Sequence, residues 1–118
     1  MKAIFSKEIP VGVSMCDAAG RLSHASTFAL FQNIAGEHAE QLGVGYADMT
    51  ARSSFWMTVR TKVHFYKRPG IMDRVNISTW PMAPGNARCD RCYRLSCGDE
   101  ILAEGRTEWC VYDLEKGR

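Results

Sequence analysis

The sequence predicts an α+β domain in which one long helix packs across a curved antiparallel sheet of five strands. Two observations carry this. Between residues 23 and 43 the apolar positions recur at helical spacing, with Phe28, Phe31, Ala35, Ala39 and Leu42 on one stripe and Asn33, Glu37 and Glu40 opposite. The rest of the chain alternates apolar and polar residues in short runs bounded by Gly, Pro and Asn, which is strand patterning. At 118 residues there is material for one core, so a single domain over residues 1–118 is expected.

Taken in order, residues 3–9 make a first strand ended by Pro10. Residues 11–20 connect it to the helix, with Asp17, Ala18, Ala19 and Gly20 as the turn. Ser23 is placed to cap the helix and Gly43 to stop it, giving a rod of roughly 30 Å at 1.5 Å per residue. No other segment carries helical patterning, so residues 44–52 read as a loop. Gly36 within the helix costs roughly 1 kcal/mol relative to Ala, and with Ala35 and Ala39 beside it implies that another backbone, of the sheet or of a partner, passes close.

Residues 54–66 alternate, with Phe55, Met57, Val59, Val63 and Phe65 on one face and Thr58, Arg60, Lys62 and His64 on the other. A turn over Lys67, Arg68, Pro69 and Gly70 leads to residues 73–80, where Val75 and Ile77 point inward. Pro81 ends that strand, and Pro84, Gly85 and Asn86 turn the chain into residues 87–96. Gly98 and Asp99 form a hairpin turn before residues 101–112. The expected order is strand, helix, then four strands in a meander.

One helix covers one sheet face. The second face is half charged and suits water, but an edge remains, and a homodimer or dimer of dimers would join it to a second copy. Hydrophobic residues make up 46% and charged residues 24% of the chain, as in ordinary globular proteins. A net charge of +2 is too small to imply nucleic acid. No apolar run reaches the ~18 residues of a membrane span, and the start lacks a signal-peptide core, so a cytoplasmic protein is expected. The five cysteines, Cys16, Cys89, Cys92, Cys97 and Cys110, have no framework spacing. Cys89 and Cys92 lie in a strand-like run that points them to opposite faces, so they read as reduced thiols.

Asp17 is the sharpest candidate for chemistry. It precedes a glycine turn six residues before the helix cap, which puts it near unpaired backbone amides and the positive end of the helix dipole. A carboxylate beside such donors suits hydrolysis of an acyl thioester, one group attacking or activating water while amides receive the oxyanion. The plainer reading is that Asp17 caps its own turn. Glu37 and His38 are explained by a solvated face and by packing, and His24 by its place in the first helical turn. Arg60, Lys62, Lys67, Arg68, Arg88, Arg91 and Arg94 make the strand region basic. That is either a solvated sheet face or a surface for an anionic carrier, coenzyme A or an acidic carrier protein. No His, Cys, Asp and Glu grouping has metal-ligand spacing, and there is no phosphate loop or nucleophile elbow.

The chain resembles the acyl-acyl-carrier-protein thioesterase family over nearly its whole length. The resemblance is carried by Gly20 to Ser23 in the order Gly, Arg, Leu, Ser, by Glu37, His38 and Ala39, and by Leu42 with Gly43. It continues through Trp56 and Arg60, the Tyr, Lys, Arg, Pro run at 66–69, Asp73, the Thr, Trp, Pro run at 79–81, Arg91, the run at 109–113 and Arg118. It implies a hotdog fold, with a helix wrapped by a curved sheet, paired hotdogs and an acyl chain between them. The likeness is to the first of the two hotdog halves that members of that family usually carry, and the family places its catalytic groups in the second. Residues 16–20 are also similar to the Asp-x-x-Gly loop of single-hotdog thioesterases of the hydroxybenzoyl-CoA type. Where those enzymes often follow the glycine with His and Asn, Arg21, Leu22 and Ser23 stand here.

These likenesses imply a thioesterase acting on acyl-CoA or acyl-carrier-protein thioesters, in fatty acid metabolism, with neither a metal nor an organic cofactor. Asp17 would attack or activate water, and the amide near His24 would receive the oxyanion. Phe31 and Trp56 would flank the acyl chain, and Arg60 and Lys62 would meet the carrier's phosphates. The alternatives are a non-catalytic acyl-binding hotdog and, more weakly, a dehydratase using His24 as base.

Overall fold

Ser23 opens the long helix α1 (His24–Gln41) as expected: its backbone is extended and its hydroxyl accepts the Ser26 amide at 3.0 Å. The computed structural model describes residues 4–82 and 88–117. Past the other end of α1, Gly43 has φ +80°, a left-handed conformation that glycine adopts without steric cost. The helix buries Thr27, Phe31, Ile34, Ala35 and His38. This stripe is rotated from the expected one, since Phe28 and Leu42 are 37% and 40% exposed. Ala39 and Leu42 face a cavity instead of the sheet, and helical spacing reads the same for both uses.

Strands β1 (Phe5–Pro10), β2 (Ser54–Phe65), β3 (Arg74–Pro81), β4 (Arg88–Cys97) and β5 (Glu100–Asp113) form one antiparallel sheet in the order β1-β3-β4-β5-β2. The four-strand meander is therefore corrected. β3, β4 and β5 do follow one another, but β2 pairs with β5 and not with β3. The connection after β2 is the reason. It bonds to the segment before α1, with Leu22 N–H donating to Pro69 O, Ile71 N–H to Gly20 O and Val11 N–H to Asp73 O. Those bonds carry the chain over the sheet end and deliver β3 beside β1. The turn expected at Pro84, Gly85 and Asn86 lies outside the described residues.

The region read as a loop holds a second helix, α2 (Tyr46–Ala51), whose Asp48 carboxylate accepts the Gly45 amide at 3.2 Å. Six residues are too few for a periodic stripe to stand out. The expected alternation of β2 is also broken. Its register with β5 shifts between Thr58 and Arg60, leaving Val59 as a bulge. Past the bulge Val63 and Phe65 pack on the core. Before it Thr58 faces the helix instead, where its Oγ1 accepts from Gln32 Nε2 at 3.3 Å. Met57 and Val59, expected inward, are 39% and 47% exposed, because one extra residue exchanges the two faces.

The core lies between α1 and the sheet. Phe31 stacks on Tyr93 with centroids 4.8 Å apart, above Gly105, where a Cβ would sit 3.0 Å from the Phe31 ring. The sheet makes its close approach to α1 at Gly105 and not at Gly36, where a Cβ would meet nothing within 4 Å in this chain. The outer sheet face carries cross-strand ion pairs, Arg94 with Glu104 and Arg106 with Asp90, at 3.4 and 2.7 Å. Among the described residues no helix is long and apolar enough to cross a membrane.

Candidate functional site

Two places carry polar chemistry, one at each end of α1. At the N-terminal end the chain doubles back through a bridge between Cys16 and Leu22, and Gly20, at φ +76°, closes the turn. Asp17 is at its tip and fully engaged. Its Oδ1 accepts the Ala19 and Arg21 amides at 2.9 and 3.2 Å, and its Oδ2 accepts from Arg68 Nη1 at 2.5 Å. The Arg68 bond, then the amide of Arg21, holds its carboxyl below the usual carboxylate range. Asp17 is thus an ionised clip tying its loop to the β2–β3 connection. His24 begins α1, exposed, with its ring stacked on Phe65 at 4.4 Å. Its amide, like that of Ala25, precedes any acceptor inside the helix.

At the C-terminal half of α1 a cavity of about 950 Å³ opens between α1, α2 and the ends of β2 and β5. Its walls are mostly apolar, with Ala35, Leu42, Val44, Met49, Trp56 and Trp109 among them. Trp56 is fixed by its Nε1–H donating to Val44 O at 3.1 Å, and Trp109 by its Nε1–H donating to Tyr93 Oη at 3.3 Å. Size and lining suit a long apolar ligand. One charged residue of the sheet joins this wall: Arg91 of β4, only 8% exposed. Its Nη1–H donates to His38 Nδ1 at 2.8 Å and to Thr79 Oγ1 at 3.2 Å. Burial, then the charge of Arg91, pushes the His38 pKa below its ordinary value, so His38 is the neutral acceptor and carries its proton on Nε2.

The residues singled out from the sequence do not converge on one point. Trp56 lies on the cavity wall, whereas Phe31 is sealed in the core at 1% exposure. Asp17, in the loop before α1, and His24, its first residue, are at the opposite end of α1 and are not part of the cavity lining. Arg60 and Lys62 are exposed on the outer sheet face, Arg60 facing Glu108 at 3.8 Å. Much of the basic stretch is neutralised: Lys67 meets Glu100, Arg68 meets Asp17, Arg88 meets Glu108 and Arg94 meets Glu104. Glu37 is at the cavity rim, paired with Lys7 at 3.1 Å.

Arg91 and His38, whose charge and helix position suit a solvated sheet face and simple packing, instead form a buried polar pair at the cavity. The signal was present, because Arg91 shares strand parity with the buried Tyr93 and Leu95. Among the described residues no three of His, Cys, Asp and Glu are grouped to hold a metal ion.

Fold and cavity together define a hotdog domain. The chain belongs to the acyl-ACP thioesterase N-terminal domain family, whose model matches residues 2–118. It is similar in structure to an acyl-ACP thioesterase from Bacteroides thetaiotaomicron, with a TM-score of 0.92 and 20% identity over 98% of this chain. It spans only 48% of that protein. It is also similar to a DHNA-CoA thioesterase from Staphylococcus aureus, at TM-score 0.86 and 20% identity, covering 98% of this chain and 78% of the other. A third similar structure, a Staphylococcus aureus protein in complex with CoA, has TM-score 0.92 and 11% identity, covering all of this chain and 75% of that one. No curated protein matches in sequence.

Proposed function

We propose that the chain is one hotdog unit, residues 1–118, of a thioesterase that hydrolyses acyl thioesters on coenzyme A or acyl carrier protein. The observation that carries this is the apolar cavity between α1 and the sheet in a chain of the acyl-ACP thioesterase N-terminal domain family. Neighbouring hotdog structures named as acyl-ACP and DHNA-CoA thioesterases support it, as does the neighbour in complex with CoA.

In this reading the acyl chain lies along the cavity past Trp56. A water oxygen adds to the thioester carbonyl, the C–S bond breaks, and the products are a carboxylic acid and a free thiol. Asp17 stands at the far end of α1 from this chain's own cavity and so serves a carbonyl held between two copies. It takes the water's proton, or attacks the carbonyl to release the thiol and leave an acyl–Asp17 anhydride that water then hydrolyses. Asp17 is ionised, as either role needs, although the Arg68 bond that lowers its pKa also weakens it as a base. The free amides of the first turn near His24 stand at the same end of α1 for the oxyanion. Arg60 and Lys62 meet the carrier's phosphates, and Arg21, which makes no ion pair among the described residues, adds a positive charge in the loop of Asp17.

The unit works in a homodimer or dimer of dimers. β2 ends the sheet, and among the described residues no strand covers its outer edge. A cytoplasmic setting, within fatty acid metabolism, agrees with five unpaired cysteines.

A second reading has its own observation. Asp17 spends both oxygens on its loop and Arg68, which is what a non-catalytic acyl-binding hotdog would show. The experiment is a hydrolysis panel of acyl-CoA and acyl-carrier-protein substrates of graded chain length, followed by free-thiol release. Turnover of at least one substrate is the expected result. Binding of acyl chains without thiol release from any of them would select the second reading.

A further inference from the structure

Arg91 is a buried cation that pairs with no anion among the described residues. Nearly all of its surface is covered, and both groups that its Nη1 reaches, His38 Nδ1 and Thr79 Oγ1, are neutral. Among the described residues no carboxylate comes within ion-pair distance of it. Two acids line the cavity: Glu37 is held by Lys7, and Glu40 turns its carboxylate against Gly45, so neither pairs with Arg91. Desolvating a guanidinium is costly, and a buried charge is ordinarily paired.

The remaining donors of Arg91 show where the missing charge belongs. Its Nε and Nη2 make no hydrogen bond among the described residues, yet neither is among the buried polar atoms sealed without a partner. The residue lines the cavity, so this edge is left for what enters it. An Nε–Nη2 edge is a two-pronged fork whose spacing matches the two oxygens of a carboxylate. His38 and Thr79 hold the other side of the guanidinium and fix its plane. Low dielectric around the site strengthens a charge pair formed there.

We propose that the cavity is a fatty-carboxylate site: an alkyl chain lies along its apolar walls, and the carboxylate pairs with Arg91 through Nε and Nη2. The ligand class is a free long-chain acid. A neutral thioester of equal length lacks the group that Arg91 receives. The inference stands on the cavity and on Arg91, and does not require hydrolysis. Where hydrolysis occurs, the acid is its product, so the cavity would retain product more strongly than substrate.

The test is calorimetric titration of the protein with dodecanoate and with dodecanol below their aggregation limits, for wild type and for Arg91→Gln. Wild type is expected to bind dodecanoate at least about tenfold more tightly than dodecanol, since a charge-assisted fork is the stronger bond. Arg91→Gln is expected to lose that preference while keeping its affinity for dodecanol. Equal affinities in wild type would overturn the proposal, whether or not the variant folds. So would an unchanged preference in a folded Arg91→Gln. Loss of self-association in Arg91→Gln with the preference intact would assign Arg91 to a carboxylate of a second copy, and would equally overturn it. No arm involves thioester turnover, so failure here is separate from failure of the hydrolysis reading.

Discussion

Asp17 and His38 are titratable residues held in opposite ways, and each gives a test. Asp17→Asn keeps size and most hydrogen bonding but removes the charge. If Asp17 attacks or activates water, hydrolysis falls by about 10²–10⁴, the range for a general base. If it only clips its loop, turnover stays near wild type. Melting is the control. The pair with Arg68 is about one-third exposed on both sides and screened by water, so the loss of stability is expected to be small. His38 responds to pH in the other experiment. Its folded pKa lies below the usual 6.5 because burial, and then Arg91, disfavour the charged form. Below about pH 6.5 the unfolded chain binds a proton that the folded chain refuses, so stability is full above that pH and declines as pH falls toward the folded value. Denaturant midpoints at pH 7.5 and 5.5 are expected to show this decline in wild type and a smaller one in His38→Gln. Equal declines would remove His38 as its source.

At the scale of elements, the parts with local signals were the legible ones. Ser23 and Gly43 bound α1 because capping and left-handed backbone are properties of single residues. The strands lie within a residue or two of where alternation put them, where the structure describes them. The bulge at Val59 was not legible, because it depends on how β2 pairs with β5 and leaves no mark in composition. The path of β2 to the far side of the sheet was hidden for the same reason: bonds from Val11, Gly20 and Leu22 set it, far away in sequence. Arg91 was legible as inward by parity, but its charge favoured a surface reading. The central packing unit is Phe31 against Tyr93 and Gly105. Phe31→Ala is expected to cost roughly 3–5 kcal/mol, as for aromatic truncations in closed cores. A loss under about 1 kcal/mol in a denaturant melt would mean that the site collapses or opens to the cavity.

For the whole molecule, two helices and a five-stranded sheet leave β2 at an edge that no further strand covers among the described residues, with Met57 and Val59 exposed on it. We expect a dimer by sedimentation at micromolar concentration, and a stable monomer there would count against pairing of two hotdogs. The cavity binds these scales together, since α1, α2, β2, β4 and β5 all contribute to its wall. The central claim is that an acyl chain occupies this space, and filling the space is the direct way to test it. Ala39 lines the cavity, so Ala39→Phe projects a ring into it. The measurement is thiol release across thioesters of graded acyl length for wild type and Ala39→Phe, with melting to confirm the fold. The account predicts turnover in wild type and a profile displaced toward shorter chains in the variant. A folded variant with an unchanged chain-length profile would contradict it.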